Sequence, residues 1–325
     1  GERLTLTGIH QEQPDTIPPT SVAIPAETEW SDQGQVLEPG APGDWDALLW
    51  GGFAASAVRH DDTTFLYYQG AADYDETYGT VTYRTVGVAT SPDGREFTKH
   101  EANPVFTWFP GDWLEEGVAS AGAWVSDSGT VRVHFGANTA ISTTAVIADG
   151  RFAESADGLE FGASSMALNH ADASLFGSGD EIFPVGSFET QGSSYCYYIP
   201  NGSPAKGQLC VAWGTGPTSL DQSAPVRVDG SPVRAWGAVS AVHLGQGSWA
   251  LFVTNSPDQH ADVPHVDVYQ LDPETPDNVI GPVQVYAFAA GSRGTMLLDA
   301  DTWFYYYRID DGSGYGLRTA AVRQE

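Results

Sequence analysis

The chain has 325 residues, enough to bury a large core in one or two domains. Its 42 acidic side chains against 14 basic ones leave a net charge of −28, which repels phosphate backbones and anionic lipid surfaces and so argues against nucleic acid and membrane partners. No stretch approaches the ~18 apolar residues that a spanning helix needs.

Residues 1–43 are rich in proline (Pro14, Pro18, Pro19, Pro25, Pro39, Pro42) and read as an extended lead-in. From residue 44 to the end, one pattern returns about every 60 residues: a small-residue apolar strand, a polar turn, an aromatic strand, a third strand and often an Asp-Gly turn. The aromatic strands are Phe65-Leu66-Tyr67-Tyr68, Val131-Arg132-Val133-His134-Phe135, Tyr195-Cys196-Tyr197-Tyr198, Trp249-Ala250-Leu251-Phe252 and Trp303-Phe304-Tyr305-Tyr306-Tyr307. Five such units predict an all-β chain, a single five-bladed β-propeller over residues 44–325, with the lead-in wrapping the ring or adding an outer strand to the last blade. Small residues on the inner strands suit a crowded axis, and aromatics on the second strands suit blade-to-blade packing. The endings Ser91-Pro92-Asp93-Gly94 and Ser155-Ala156-Asp157-Gly158 read as structural turns, because Asp-Gly suits positions of positive φ.

The segments just before each inner strand are expected over the axial funnel. In blade one they carry Trp45, Asp46 and Trp50; in blade two Asp112, Trp113, Glu115 and Glu116; in blade three Asp180 and Glu181; in blade four Arg234 and Trp236; in blade five Arg293. Converging carboxylates are what glycosidic cleavage needs, one ionised to activate water or attack carbon and one protonated to donate to the leaving oxygen. Trp45, Trp50, Trp113 and Trp236 would stack on sugar faces, and Arg234 and Arg293 would hold a substrate carboxylate or pair with the acids. Asp180 and Glu181 are neighbours on an extended strand, so one of the two should face the pocket. Glu189, past the inner strand, reads as structural.

Cys196 and Cys210 flank a turn at Asn201-Gly202-Ser203-Pro204, and a hairpin about Ser203 would set them opposite each other. That predicts a disulfide and an oxidising compartment, against the alternative of two buried free thiols. The His260–His265 stretch, with Asp262 and Asp267 nearby, has cation-binding residue types but reads better as a polar loop. No cofactor is required by any motif, and a structural Ca²⁺ held by oxygens in the central channel is compatible with the sequence.

Three runs carry a family resemblance: Tyr67-Tyr68-Gln69-Gly70, Gly87-Val88-Ala89-Thr90-Ser91-Pro92-Asp93-Gly94-Arg95-Glu96-Phe97 and Asn103-Pro104-Val105. Together they resemble the first blade of five-bladed propeller glycoside hydrolases, the arabinanase, β-xylosidase and levansucrase or invertase relatives. The segment from Asp180 to Glu189 with Tyr195–Tyr198 is similar to their third blade. The resemblance implies an Asp base or nucleophile in blade one, a supporting acid in blade two and a Glu acid in blade three. Carried onto this chain, these are Asp46, Glu116 and Glu181, with Glu115 and Asp180 as second choices. Blade two departs from the family pattern in its Glu pair, and the Asn-Asp-Pro-Asn-Gly motif of invertases is missing.

The expected function is therefore hydrolysis of a furanose- or pentose-containing glycan, arabinan-, xylan- or fructan-like, by a secreted or periplasmic protein that is a monomer or small homo-oligomer. Inversion is implied by the resemblance. A non-catalytic glycan-binding propeller is the competing reading from a different class, and a uronate lyase working through Arg234 or Arg293 is a third.

Overall fold

The computed structural model describes residues 22–49, 56–71, 73–75, 80–82, 85–106, 118–142, 145–172, 175, 181–200, 207–235, 237–255, 265–287, 292–310 and 315–323. Antiparallel sheets of about 60 residues each follow one another along these segments and form a five-bladed β-propeller. Blade one consists of Ser56–His60, Thr63–Ala71, Thr85–Ser91 and Thr98–Lys99, with Leu48–Leu49 also paired to the second strand. Blade two is Val118–Val125, Val131–Ser142, Ala145–Ser155 and Ser165–Leu168. Blade three is Ile182–Thr190, Ser193–Pro200, Cys210–Gly214 and Gln222–Pro225. Blade four is Val239–Gly245, Ser248–Asn255, His265–Leu271 and Ile280–Tyr286. Blade five is Ser292–Asp299, Thr302–Asp310, Tyr315–Arg323 and, as its outer strand, Ser31–Leu37 from the lead-in.

That last pairing builds the final blade from strands at both ends of the chain, and Ser31–Leu37 covers the edge that Tyr315–Arg323 would otherwise present. The lead-in reaches its strand across blade four, where the Val22 amide donates to the Leu244 carbonyl and the Tyr286 hydroxyl to the Pro25 carbonyl at 2.8 Å.

Each aromatic run forms the second strand of its blade, where both faces of the strand are covered. In Thr63–Ala71 the residues from Thr64 onward are all buried, so the strand reads as continuous apolar sequence rather than as an alternation. Polar atoms on these strands reach the next blade. The Tyr67 hydroxyl donates to the Gly158 carbonyl of blade two at 2.8 Å, Tyr195 to Pro273 of blade four at 3.0 Å, and Tyr306 to Gly94 of blade one at 2.8 Å. The turns that receive Tyr67 and Tyr306 are the Asp-Gly endings. Asp93 accepts from the Arg95 and Glu96 amides and Asp157 from those of Leu159 and Glu160; Gly94 and Gly158 have φ of 72° and 74°. The Glu160 and Leu159 amides hold the Asp157 carboxyl down at about 2.

Blade two uses a histidine for the same task. His134 is fully buried, with Nε2 2.8 Å from the Pro217 carbonyl of blade three and Nδ1 2.9 Å from the Ser187 hydroxyl. A carbonyl only accepts, so Nε2 carries the proton and Nδ1 accepts from Ser187. Burial lowers this ring to about 4 from 6.5, opposed by the Pro217 carbonyl and assisted by Arg132. The unfolded chain thus binds a proton that the folded one refuses. The stabilisation is complete above 6.5 and is lost as pH falls from there through about 4, a total of about 3 kcal/mol. Urea unfolding at pH 7.5 and pH 4.5 is expected to show that loss, and His134→Gln to flatten it by about that amount; equal slopes in the two proteins would contradict this account.

The inner strands meet almost without side chains between them. A Cβ on Gly186 in blade three would run into the Val239 carbonyl of blade four, and one on Gly122 in blade two into the backbone of Gly186. This is the crowded axis that the small residues of the inner strands imply.

The disulfide expectation fails on register. Cys196 is paired with Ala212 and Cys210 with Tyr198, so the cysteines are diagonal neighbours on one face rather than opposite partners. Diagonal neighbours lie about 7–8 Å apart, beyond the reach of a disulfide. Both are free and buried in the packing around Tyr198, Leu168 and Ile182, and burial pushes each thiol up to about 12. The oxidising-compartment argument goes with the bridge.

Candidate active site

The segment before blade one does not run straight to the axis. It turns on itself: the Gly40 amide donates to the Asp46 carbonyl, and the Asp44 carboxylate accepts from the Ala41 amide. This brings Trp45 flat onto the blade-one sheet, stacked on Tyr68 at 5.7 Å between ring centroids and 28° between planes. Gly70 and Gly87 lie beneath the indole, and a Cβ on either would collide with it. Trp45 is half-buried and packs against the apolar cluster shared by blades one and five.

Asp46 is the next residue. Its carboxylate is 2.6 Å from the ammonium of Lys99, on the outer strand of the blade, and accepts from the Tyr68 hydroxyl at 3.4 Å; the residue is 4% exposed. The Asn103 side-chain amide donates to the Tyr68 hydroxyl at 3.2 Å and to the Val88 carbonyl, and its oxygen accepts from the Val88 amide. A carboxylate held this way balances a charge inside a packed interface; it does not face water over the funnel. Asp46→Asn is expected to lower stability by about 1–2 kcal/mol by leaving Lys99 uncompensated, with the loss largely recovered in the double variant with Lys99→Met. Denaturant titration of the three variants measures this. Abolished turnover in a folded Asp46→Asn protein would instead return Asp46 to the catalytic set.

Glu181 stands immediately before the inner strand of blade three. It is half-buried and forms a parallel bridge with Ala148 on the third strand of blade two, which sets it at the seam between these blades. One residue along, Asp149 accepts from the His170 amide at 2.9 Å and lies 2.7 Å from its Nδ1, pinning the connection that leads from blade two to blade three. Nothing in the spacing of Asp149 and His170 in sequence pointed to this pair.

Arg234 is exposed, its backbone bridged to Gln208. Arg293 lies on the inner strand of blade five, within Ser292–Asp299. Trp50, Trp113, Glu115, Glu116, Asp180 and Trp236 lie outside the described residues. Glu189, at the far end of blade three, is held by Arg132 at 2.6 Å and by the Trp124 indole at 3.4 Å. Among the described residues no group of three or more His, Cys, Asp or Glu side chains is placed to hold a metal ion. At the described end of the channel, Glu189 pairs with Arg132 and nearby Asp299 with Arg59.

No family model and no curated protein matches the sequence. Solved structures do resemble it. A family-43 β-xylosidase/α-arabinofuranosidase from a compost microbial metagenome, CoXyl43, in complex with xylotriose in a calcium-free form, gives a TM-score of 0.59 at 14% identity over 89% of this chain and 94% of that one. The α-L-arabinofuranosidase PaAbf62A from Podospora anserina, in complex with cellotriose, gives 0.58 at 12% identity, covering 91% and 97%. The β-1,2-mannobiose phosphorylase from Listeria innocua, with β-1,2-mannobiose, gives 0.58 at 12% identity, covering 93% and 92%. The fold is that of the five-bladed glycoside hydrolases. At these identities the glycoside hydrolase propeller is shared as an architecture, and what the ring does must be argued from its own residues.

Proposed function

We propose that this chain is a glycoside hydrolase that cleaves a furanose- or pentose-containing glycan, with Glu181 protonating the leaving oxygen. The observation that carries this is the position of Glu181, half-buried at the head of the third inner strand and on the seam between two blades. A general acid donates its proton to the leaving oxygen, and a carboxyl side chain is the group that does this in glycosidic cleavage. With Asp46 committed to Lys99, the water-activating carboxylate in this reading is Glu116, with Glu115 second, and Trp50, Trp113, Trp236, Arg234 and Arg293 supply the sugar contacts. The fold likeness to proteins seen with xylotriose, cellotriose and mannobiose supports a carbohydrate substrate. Secretion remains part of the proposal and rests on the acidic, lysine-poor composition, the thiols being free.

The test is product analysis on arabinan, xylan and fructan, with Glu181→Gln as control and NMR of the first-formed anomer to read inversion or retention. One specific observation favours a second reading, a glycan-binding propeller without turnover: the acid expected as base or nucleophile is neutralised by Lys99. Glycan binding with no released sugar from the wild-type protein would decide for it.

A further inference from the structure

The inner strands end in matched triads around the axis: Ala57-Val58-Arg59, Ala123-Trp124-Val125, Ser187-Phe188-Glu189, Ala241-Val242-His243 and Met296-Leu297-Leu298. Together with Trp249 they line a cavity of about 380 Å³. It lies at the end of the channel opposite Glu181, some 20 Å away along an extended strand of this length. The first residue of four triads is Ala or Ser, and that smallness leaves the room. Ligand pockets of this order, about 300–1,000 Å³, suit a small molecule or the end of a larger one.

The walls are of two kinds. Phe188 and His243 each pack on Trp249 with ring centroids 4.8 Å apart, and the Trp249 indole is half-buried at the mouth. The charged groups are matched within the protein: Arg59 Nε is 3.5 Å from Asp299, and Glu189 takes Arg132 at 2.6 Å. Burial lowers the His243 ring below its usual value, so at neutral pH it is a neutral donor and acceptor. Such a site offers an aromatic face and directed hydrogen-bonding groups without asking its ligand for a charge, and a net charge of −28 keeps anions away. We propose that this cavity is a second, non-catalytic site for a neutral sugar unit, stacked on Trp249 and hydrogen-bonded by Arg59, Glu189 and His243. A glycan held there would keep the protein on a polymer independently of the opposite mouth. The inference rests on the propeller and its far mouth, not on the hydrolase reading.

Calorimetry and ligand-observed NMR with cellotriose, xylotriose and arabinotriose test it on the full chain. The background is Glu181→Gln, so that no probe is consumed. Trp249→Ala removes the aromatic face. Ala241→Phe fills the cavity from a half-buried position and takes no contact away, which covers the case in which Trp249→Ala fails to fold. Both are expected to weaken binding of at least one probe by about tenfold or more, while the same substitutions in the wild-type chain leave hydrolysis of a chromogenic monosaccharide substrate unchanged. Unchanged affinity in a folded Ala241→Phe protein, or no binding of any probe, overturns the inference. Turnover without binding at this mouth sinks this site and spares the hydrolase; binding that falls on filling the cavity, without turnover, does the reverse.

Discussion

Gly186→Val is expected to cost at least about 4 kcal/mol and to abolish the cooperative native state at moderate temperature. The inner strand of blade three lies between Gly122 of blade two and Val239 of blade four, and a side chain on Gly186 would meet the Val239 carbonyl first and its Cβ next. Backbone atoms of an inner strand cannot step aside as a flexible side chain would, because the inner strands of blades two and four are each tied to their own second strand by ladder hydrogen bonds. The strain would therefore be relieved by opening the ring between blades. Gly129→Ala is the control, since that glycine sits in a turn with open space around its Cα; its φ of 78° alone should cost about 1 kcal/mol. Thermal and denaturant unfolding followed by tryptophan fluorescence reads both. A Gly186→Val protein of wild-type stability would mean that the blades are held further apart than this packing has them.

The sequence made the ring legible because burial on both faces leaves an unambiguous mark. Thr63–Ala71 and its counterparts in blades three, four and five are aromatic runs with no polar alternation, Val131–Phe135 in blade two carries Arg132 and His134 between apolar residues, and all five form second strands. The Ser-x-Asp-Gly endings were legible as turns for the same local reason, the positive φ of Gly94 and Gly158. Two long-range matters were not. The hairpin about Ser203 fixed which strands pair but not their register, and a shift of two residues separates opposite cysteines from diagonal ones. The placement of Asp46 over the funnel assumed that the chain enters blade one directly. Its ion pair with Lys99 joins residues 53 positions apart, and no periodicity reports such a contact. A signal did exist: Gly70 and Gly87 interrupt strands that otherwise carry side chains throughout, and glycine inside a strand marks a close approach. Here the approach is the Trp45 indole, which carries Asp46 with it. Glu181 directly precedes the strand Ile182–Thr190, as the expected strand start implied.

Glu181→Gln is expected to lower turnover of a natural glycan by about 10³-fold, within the 10²–10⁴ range of a lost general acid, with little change in KM. The substitution keeps the shape and the half-buried fit at the seam with Ala148 but removes the proton that the leaving oxygen takes up. The loss should depend on the leaving group. An arabinofuranoside or xyloside of dinitrophenol leaves as a stable anion and needs no proton, so its cleavage should fall far less than that of an oligosaccharide. The pH profile supplies an independent readout. A general acid must be protonated to work, so its ionisation produces the alkaline fall of kcat/KM, and the amide should flatten that limb while leaving the acidic one, which belongs to the base. Equal losses on activated and natural substrates, with the alkaline limb intact, would assign Glu181 to holding the seam between blades two and three and move the acid to another residue.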